Sequence, residues 1–335
     1  MFNIFFFIIL YFILFYIFSI FAKKINLIDI PDFRKIHTGN IPLIGGLCIY
    51  LSIFLFSFFI DFNYFINLII YSSGIILFVG LIDDSKQIGV TIRIISQIIT
   101  CLIVIGGGLS IINLGEYYTY NTLNLGILGI LLTCLSVLAL TNAINFIDGI
   151  DGLASGIIVI SLASIYAFSF FQGSLINTEI IVFLIVSILI FFIFNLKFFN
   201  FFNKVFLGDS GSTTLGFILG FLLIFFTHPD HRNFHPVLAA WCVSLPIYDL
   251  LAVLIRRICR GINPFRPDRR HIHHLLLDKK IKPKNVLIII LSSSVILNVI
   301  GGFIYFNLGA LSSLISFVLF LMMYLALSFN FIRKI

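Results

Sequence analysis

Eleven stretches of the chain are almost continuously apolar, and short polar intervals separate them. They run over 2–22, 43–60, 65–82, 90–111, 126–144, 153–171, 178–195, 211–227, 236–258, 286–306 and 310–331. Apolar positions that are continuous, and not alternating, predict helices. A helix of ~20 residues crosses a hydrocarbon core of about 30 Å. Lipid offers backbone N–H and C=O groups no partner, so a spanning segment satisfies them within its own helix. The pattern predicts an all-α fold, a polytopic transmembrane bundle of ~11 spans in one domain over 1–335. The first run has no Lys or Arg before it and no small-residue cleavage site after it. It reads as a membrane span and not as a cleaved signal peptide.

Charge in the intervals sets the orientation. Alternating through the spans, one side collects 19 of the 21 Lys and Arg, from Lys23 and Lys24 to Arg333 and Lys334. The other side holds Arg232 alone, and Arg93 lies just inside the fourth run. Basic loops stay in the cytoplasm, so the N-terminus is expected outside and the C-terminus inside. The net charge of +7 follows from this asymmetry and from attraction to anionic lipid. No soluble domain offers a basic face to nucleic acid, and that class of partner is set aside.

Composition agrees with a lipid-facing chain. Hydrophobic residues make up 60% and charged ones 10%, with mean hydropathy +1.16, against roughly 45–50% and 25% in soluble domains. The five cysteines, Cys48, Cys101, Cys134, Cys242 and Cys259, form no C-x-x-C pair. They read as small buried hydrophobes, with neither a zinc site nor a disulfide framework.

The basic side also carries four polar clusters. Asp83-Asp84 ends the third run. Adjacent carboxylates repel unless a cation compensates; a magnesium ion would do so, and so would service as N-caps of the fourth span. The second cluster is Asn142-Ala-Ile-Asn145-Phe-Ile-Asp148-Gly149-Ile-Asp151-Gly152. Glycine after each aspartate allows close backbone approach to a ligand, while the EF-hand pattern, with its terminal Glu, is missing. The third, Gly208-Asp209-Ser210-Gly211-Ser212, superficially resembles the segment around a serine-protease nucleophile, but it opens an apolar helix. It is expected to be a phosphate site with free N–H groups. The fourth is Arg269-Arg270-His271-Ile-His273-His274, whose histidines suit phosphate or sugar better than a dication. Arg93, a charge within a span, is functional by default, with snorkelling to the interface as the alternative.

Together and in order, these motifs resemble the polyprenyl-phosphate N-acetylhexosamine-1-phosphate transferases over nearly the whole chain. Pro31-Asp-Phe-Arg34-Lys35-Ile-His37 and Ile41-Pro42-Leu-Ile-Gly45-Gly46 are similar to the first cytoplasmic motif of the branch that starts lipid-linked O-antigen and enterobacterial common-antigen glycans. His271-Ile-His273-His274 fits that branch better than the three-histidine form of phospho-MurNAc-pentapeptide transferase. One departure is Gln87, where the family often has a third Asp.

The resemblance implies transfer of GlcNAc-1-phosphate from UDP-GlcNAc to undecaprenyl phosphate, giving GlcNAc-diphospho-undecaprenol and UMP. It implies a multi-pass enzyme of the bacterial inner membrane, with active-site loops on the cytoplasmic face at 23–42, 83–89, 142–152, 196–212 and 259–285. Asp83, Asp84 and Asp148 are then the expected catalytic residues. Arg93, Asn142, Asn145, Asp151, Arg269, His271, His273 and His274 are expected to bind substrate, and Asp209, Asn145 and Asp84 a magnesium ion, with manganese as a substitute. The oligomeric state is left open, a homodimer included. UDP-MurNAc-pentapeptide is the competing donor. A transporter of an anionic solute is the competing class, and it would place its charges near the bilayer midplane in inverted repeats.

Overall fold

The computed structural model describes residues 2–30, 39–117, 122, 124–198, 203–261 and 271–333. The Pro31–His37 motif and Arg269 lie outside them. Twelve helices are described: α1 (Phe2–Phe21), α2 (Gly45–Phe56), α3 (Tyr64–Lys86), α4 (Val90–Gly106), α5 (Ile127–Ile147), α6 (Leu153–Phe171), α7 (Glu179–Asn195), α8 (Gly208–Thr227), α9 (Pro236–Cys242), α10 (Ser244–Cys259), α11 (Ile272–Asp278) and α12 (Pro283–Arg333). Among the described residues the strands amount to one two-residue pair, β1 (Ile28–Asp29) and β2 (Ile41–Pro42), so the chain is an all-α polytopic membrane protein.

Every apolar run contains helix. Six helices (α1, α3, α5, α6, α8 and α12) are long and apolar enough to cross a membrane, and the bent pair α9–α10 qualifies as a seventh. Shorter apolar helices, α2, α4 and α7, fill the other runs. The tenth and eleventh runs form one 51-residue helix broken at Gly309, whose φ of 85° and ψ of 177° are open only to glycine.

The ninth run is bent by 74° between α9 and α10. Pro246 has no N–H to give the Cys242 carbonyl four residues back. That carbonyl accepts from the Ser161 hydroxyl instead, at 2.8 Å.

α8 runs through the centre: every residue from Ser210 to Phe226 is buried, as expected for a helix apolar on all sides. Close backbone approach seats it. The Cα atoms of Gly211 and Gly46 meet, so a Cβ on either would strike the other's backbone, and a Cβ on Gly216 would stand 2.9 Å from Thr141 Cα. Small residues serve this purpose between membrane helices.

The two ends of the bundle are distinct. At one end Asp84 reaches Asp209, Lys204 reaches Asp151, and Gly45 N–H donates to the Phe206 carbonyl. At the other, Arg232 reaches Asn113 and Asn233 donates to the Ile176 carbonyl. The first three polar clusters therefore share one rim.

Three segments expected as loops are helix ends. Asp83 and Asp84 lie in the last turn of α3, Asn142 and Asn145 in the last two turns of α5, and Asp209 in the first turn of α8. Hydropathy marks where lipid ends, and the hydrogen-bonded ladder continues past it.

Candidate active site

The centre of the rim is a guanidinium between two carboxylates. Arg93, on the first turn of α4, places Nη1 2.9 Å from Asp83 Oδ2 and 3.1 Å from Asp209 Oδ2. Asp83 is buried, and its Oδ1 accepts from the Ile88 N–H at 2.8 Å. The Asp209 side chain remains 49% exposed. Its Oδ1 accepts from Asn145 Nδ2 at 3.1 Å, and the same amide nitrogen reaches Ser212 Oγ at 2.9 Å. Asn145 therefore has only Oδ1 left for a metal or substrate.

Asp84 has a different job from the one its neighbour suggests. Its Oδ1 accepts from the Asp209 N–H at 2.8 Å, and its Oδ2 from the Ser210 hydroxyl and N–H at 2.6 and 3.2 Å. The carboxylate caps the N-terminus of α8 from another helix and complements its dipole. The phosphate site expected at free N–H groups of Asp209 and Ser210 is thereby corrected: Asp84 occupies them. It caps α8, moreover, and not the fourth span.

Asp148 takes the C-cap position of α5. Desolvation by the surrounding protein, with the charges of Asp209, Asp151 and Asp84, pushes its carboxyl up to about 8. Asp151 is paired with Lys204 Nζ at 2.6 Å. Asn142 braces α5 against α4: its Nδ2 is spent on Gln97 Oε1 and the Leu138 carbonyl. Gln87 ends α3 in a left-handed conformation, φ 52°, with its side chain exposed.

The histidine segment docks on the loop after α5. The His271 ring lies 5.3 Å from Phe146, and His273 packs against Gly149. His273 is fully buried, and neither ring nitrogen has a hydrogen-bond partner. Burial, then the neighbouring His274, holds it down at about 3, so it is neutral. The His274 ring lies against it, tilted by 41°, with the centroids 4.0 Å apart.

Sequence reasoning passed over two site-building residues. Asn195, buried at the end of α7, accepts from the Gly152 N–H at 2.6 Å and donates to the Val205 carbonyl at 2.8 Å, clamping two rim loops together. Asp249, buried on α10, accepts from His271. An acid inside an apolar run was the signal that could have found it.

The donor set fits a magnesium ion in part. Magnesium takes one or two carboxylates, keeps waters and relies on substrate phosphates. Asp209 offers an accessible carboxylate, and desolvation together with the neighbouring carboxylates raises Asp148, a setting that a cation would relieve. Among the described residues no three His, Cys, Asp or Glu form a ready-made cage.

The bundle carries carboxylates, amides and Arg93 to a single rim, and its similarity to known proteins identifies it as a transferase. The chain belongs to glycosyl transferase family 4, whose model matches residues 65–227. It is 34% identical over 287 residues to the undecaprenyl-phosphate alpha-N-acetylglucosaminyl 1-phosphate transferase of Escherichia coli O157:H7, covering 84% of this chain and 77% of that one. The protein of the same name from Haemophilus influenzae is 33% identical over 296 residues, covering 85% and 82%. The one from Yersinia pestis is 31% identical over 283 residues.

Proposed function

We propose that this protein transfers GlcNAc-1-phosphate from UDP-GlcNAc to undecaprenyl phosphate at the cytoplasmic face of a bacterial inner membrane. The products are GlcNAc-diphospho-undecaprenol and UMP. The observation that carries this is the Arg93 bridge between Asp83 and Asp209, set at helix ends where a soluble nucleotide and a lipid headgroup can meet. A transporter's charges would lie deeper, near the midplane.

A phosphate oxygen of the acceptor attacks the β-phosphorus, and the bond to UMP breaks. Both substrates are anionic, so catalysis is positioning and charge neutralisation. Magnesium or manganese, held by Asp209 and the Asn145 Oδ1, would neutralise the diphosphate and the departing UMP. Asp83 anchors Arg93, whose guanidinium faces the same charge. Asp84 fixes Asp209 by capping its helix. Asp148, raised toward neutrality, is the carboxylate suited to take a proton from the acceptor phosphate. His271, His274 and Arg269 would serve the donor's sugar and phosphates. The names of the relatives, together with the His271–His274 segment, support GlcNAc as the sugar.

The purified protein with undecaprenyl phosphate is expected to turn over UDP-GlcNAc and leave UDP-MurNAc-pentapeptide untouched. Turnover of the pentapeptide donor alone would assign the chain to the other branch.

A further inference from the structure

Asp249 lies inside the bundle on α10, 2% exposed, in a stretch whose neighbours are apolar. A carboxylate there needs partners, and among the described residues it has three. Its Oδ2 stands 2.7 Å from His271 Nδ1, and its Oδ1 accepts from the Ile272 N–H at 2.9 Å and the Tyr324 hydroxyl at 3.0 Å. One carboxylate thus joins α10, the start of α11 and the second half of α12.

A carboxylate only accepts, so Nδ1 of His271 carries the proton. The ring is held in one tautomer and against Phe146. Nδ1 is spent, and Nε2 is left for a ligand. His273 offers a contrast, since neither of its nitrogens is engaged.

We propose that Asp249 is a positioning residue of the transferase: through Nδ1 it orients His271 so that Nε2 accepts a hydrogen bond from a hydroxyl or N–H group of the nucleotide sugar. This rests on the function proposed above. With the proton on Nδ1, Nε2 is an acceptor, and it loses that role when the partner becomes an amide. Asparagine at 249 can still accept from Ile272 and Tyr324 through Oδ1. Toward His271 it presents an N–H, which selects the opposite tautomer.

Four variants in detergent test this: Asp249→Asn, His271→Gln, the double variant, and Tyr324→Phe, which leaves the carboxylate–histidine pair in place. Asp249→Asn is expected to lower kcat/KM for UDP-GlcNAc by ~10–100-fold, as for loss of a histidine's orienting partner, with KM for the nucleotide sugar carrying more of the loss than kcat. The double variant should be no worse than His271→Gln, because the second change removes nothing further. Tyr324→Phe should stay within a few-fold of wild type. Multiplicative losses in the double variant, or wild-type kinetics for Asp249→Asn, would overturn the proposal. Nitrogen-15 NMR of histidine-labelled wild-type protein tests it without turnover and without a variant that must fold. A protonated Nδ1 on His271 supports it, and a bare Nδ1 refutes it. A wild type that shows the protonated Nδ1 but no transfer would count against the proposed function and leave the Asp249–His271 pair standing.

Discussion

Asp209→Asn is expected to lower turnover by ~10²–10³-fold, the usual loss for one transition-state electrostatic contact, and to raise the magnesium concentration needed for half-activity. The fold should survive. Asparagine is nearly isosteric and keeps an oxygen for the Asn145 amide. Arg93 keeps its partner Asp83 at 2.9 Å. The lost ion pair is largely solvent-screened, because the Asp209 side chain is about half exposed, and such pairs contribute about 0–1 kcal/mol. Activity and metal dependence should therefore change while the thermal midpoint holds. Asp83→Asn should lower turnover with less change in metal requirement, since both its oxygens face protein donors. A variant at 209 with wild-type turnover and unchanged magnesium dependence would remove Asp209 from the phosphate centre.

Gly149→Ala is expected to cost ~10² in kcat/KM, although it adds a single methyl group. The backbone tolerates alanine, since φ at Gly149 is not positive. The added Cβ would overlap Nε2 of His273 and stand 2.8 Å from its Cδ2. His273 has nowhere to go: it is fully buried, with the His274 ring centroid 4.0 Å away. The start of α11 must move, and a misplacement of ~1 Å in a positioned group costs about 10²-fold. Gly89→Ala on the same rim is the control, with nothing within 4 Å of its added Cβ and a negative φ. Combining Gly149→Ala with His273→Ala should return activity to the level of His273→Ala alone. Full activity in Gly149→Ala would mean that the histidine segment does not dock on this loop during turnover.

Much of this architecture is legible in the chain because lipid imposes a simple rule. Continuous apolar runs must be helices, and all eleven contain helix. The sharing of one rim by Asp83, Asn145, Asp209 and His271 follows from counting crossings. Their pairings do not. Asp84 caps a helix that begins 124 positions later, and nothing local distinguishes that cap from a metal ligand. Asn142 and Asn145 look equivalent in the motif, yet they sit three positions apart on α5. One faces Gln97 and the other Asp209. The division of labour comes from helical rotation, which a list of polar residues does not contain. Asp249 escaped notice because attention to clusters passes over a lone acid within an apolar run, where its burial is most costly and most telling.

The central claim is that the acceptor attacks phosphorus and not the sugar carbon. Purified protein given undecaprenyl phosphate, magnesium and UDP-GlcNAc labelled with ³²P in the β-phosphate tests it directly. The expected result is ³²P in the lipid fraction, one equivalent of unlabelled UMP released for each, and loss of both on chelation with recovery on added magnesium. Label retained in released UDP while GlcNAc alone passes to the lipid would contradict it, because that is glycosyl transfer at the anomeric carbon.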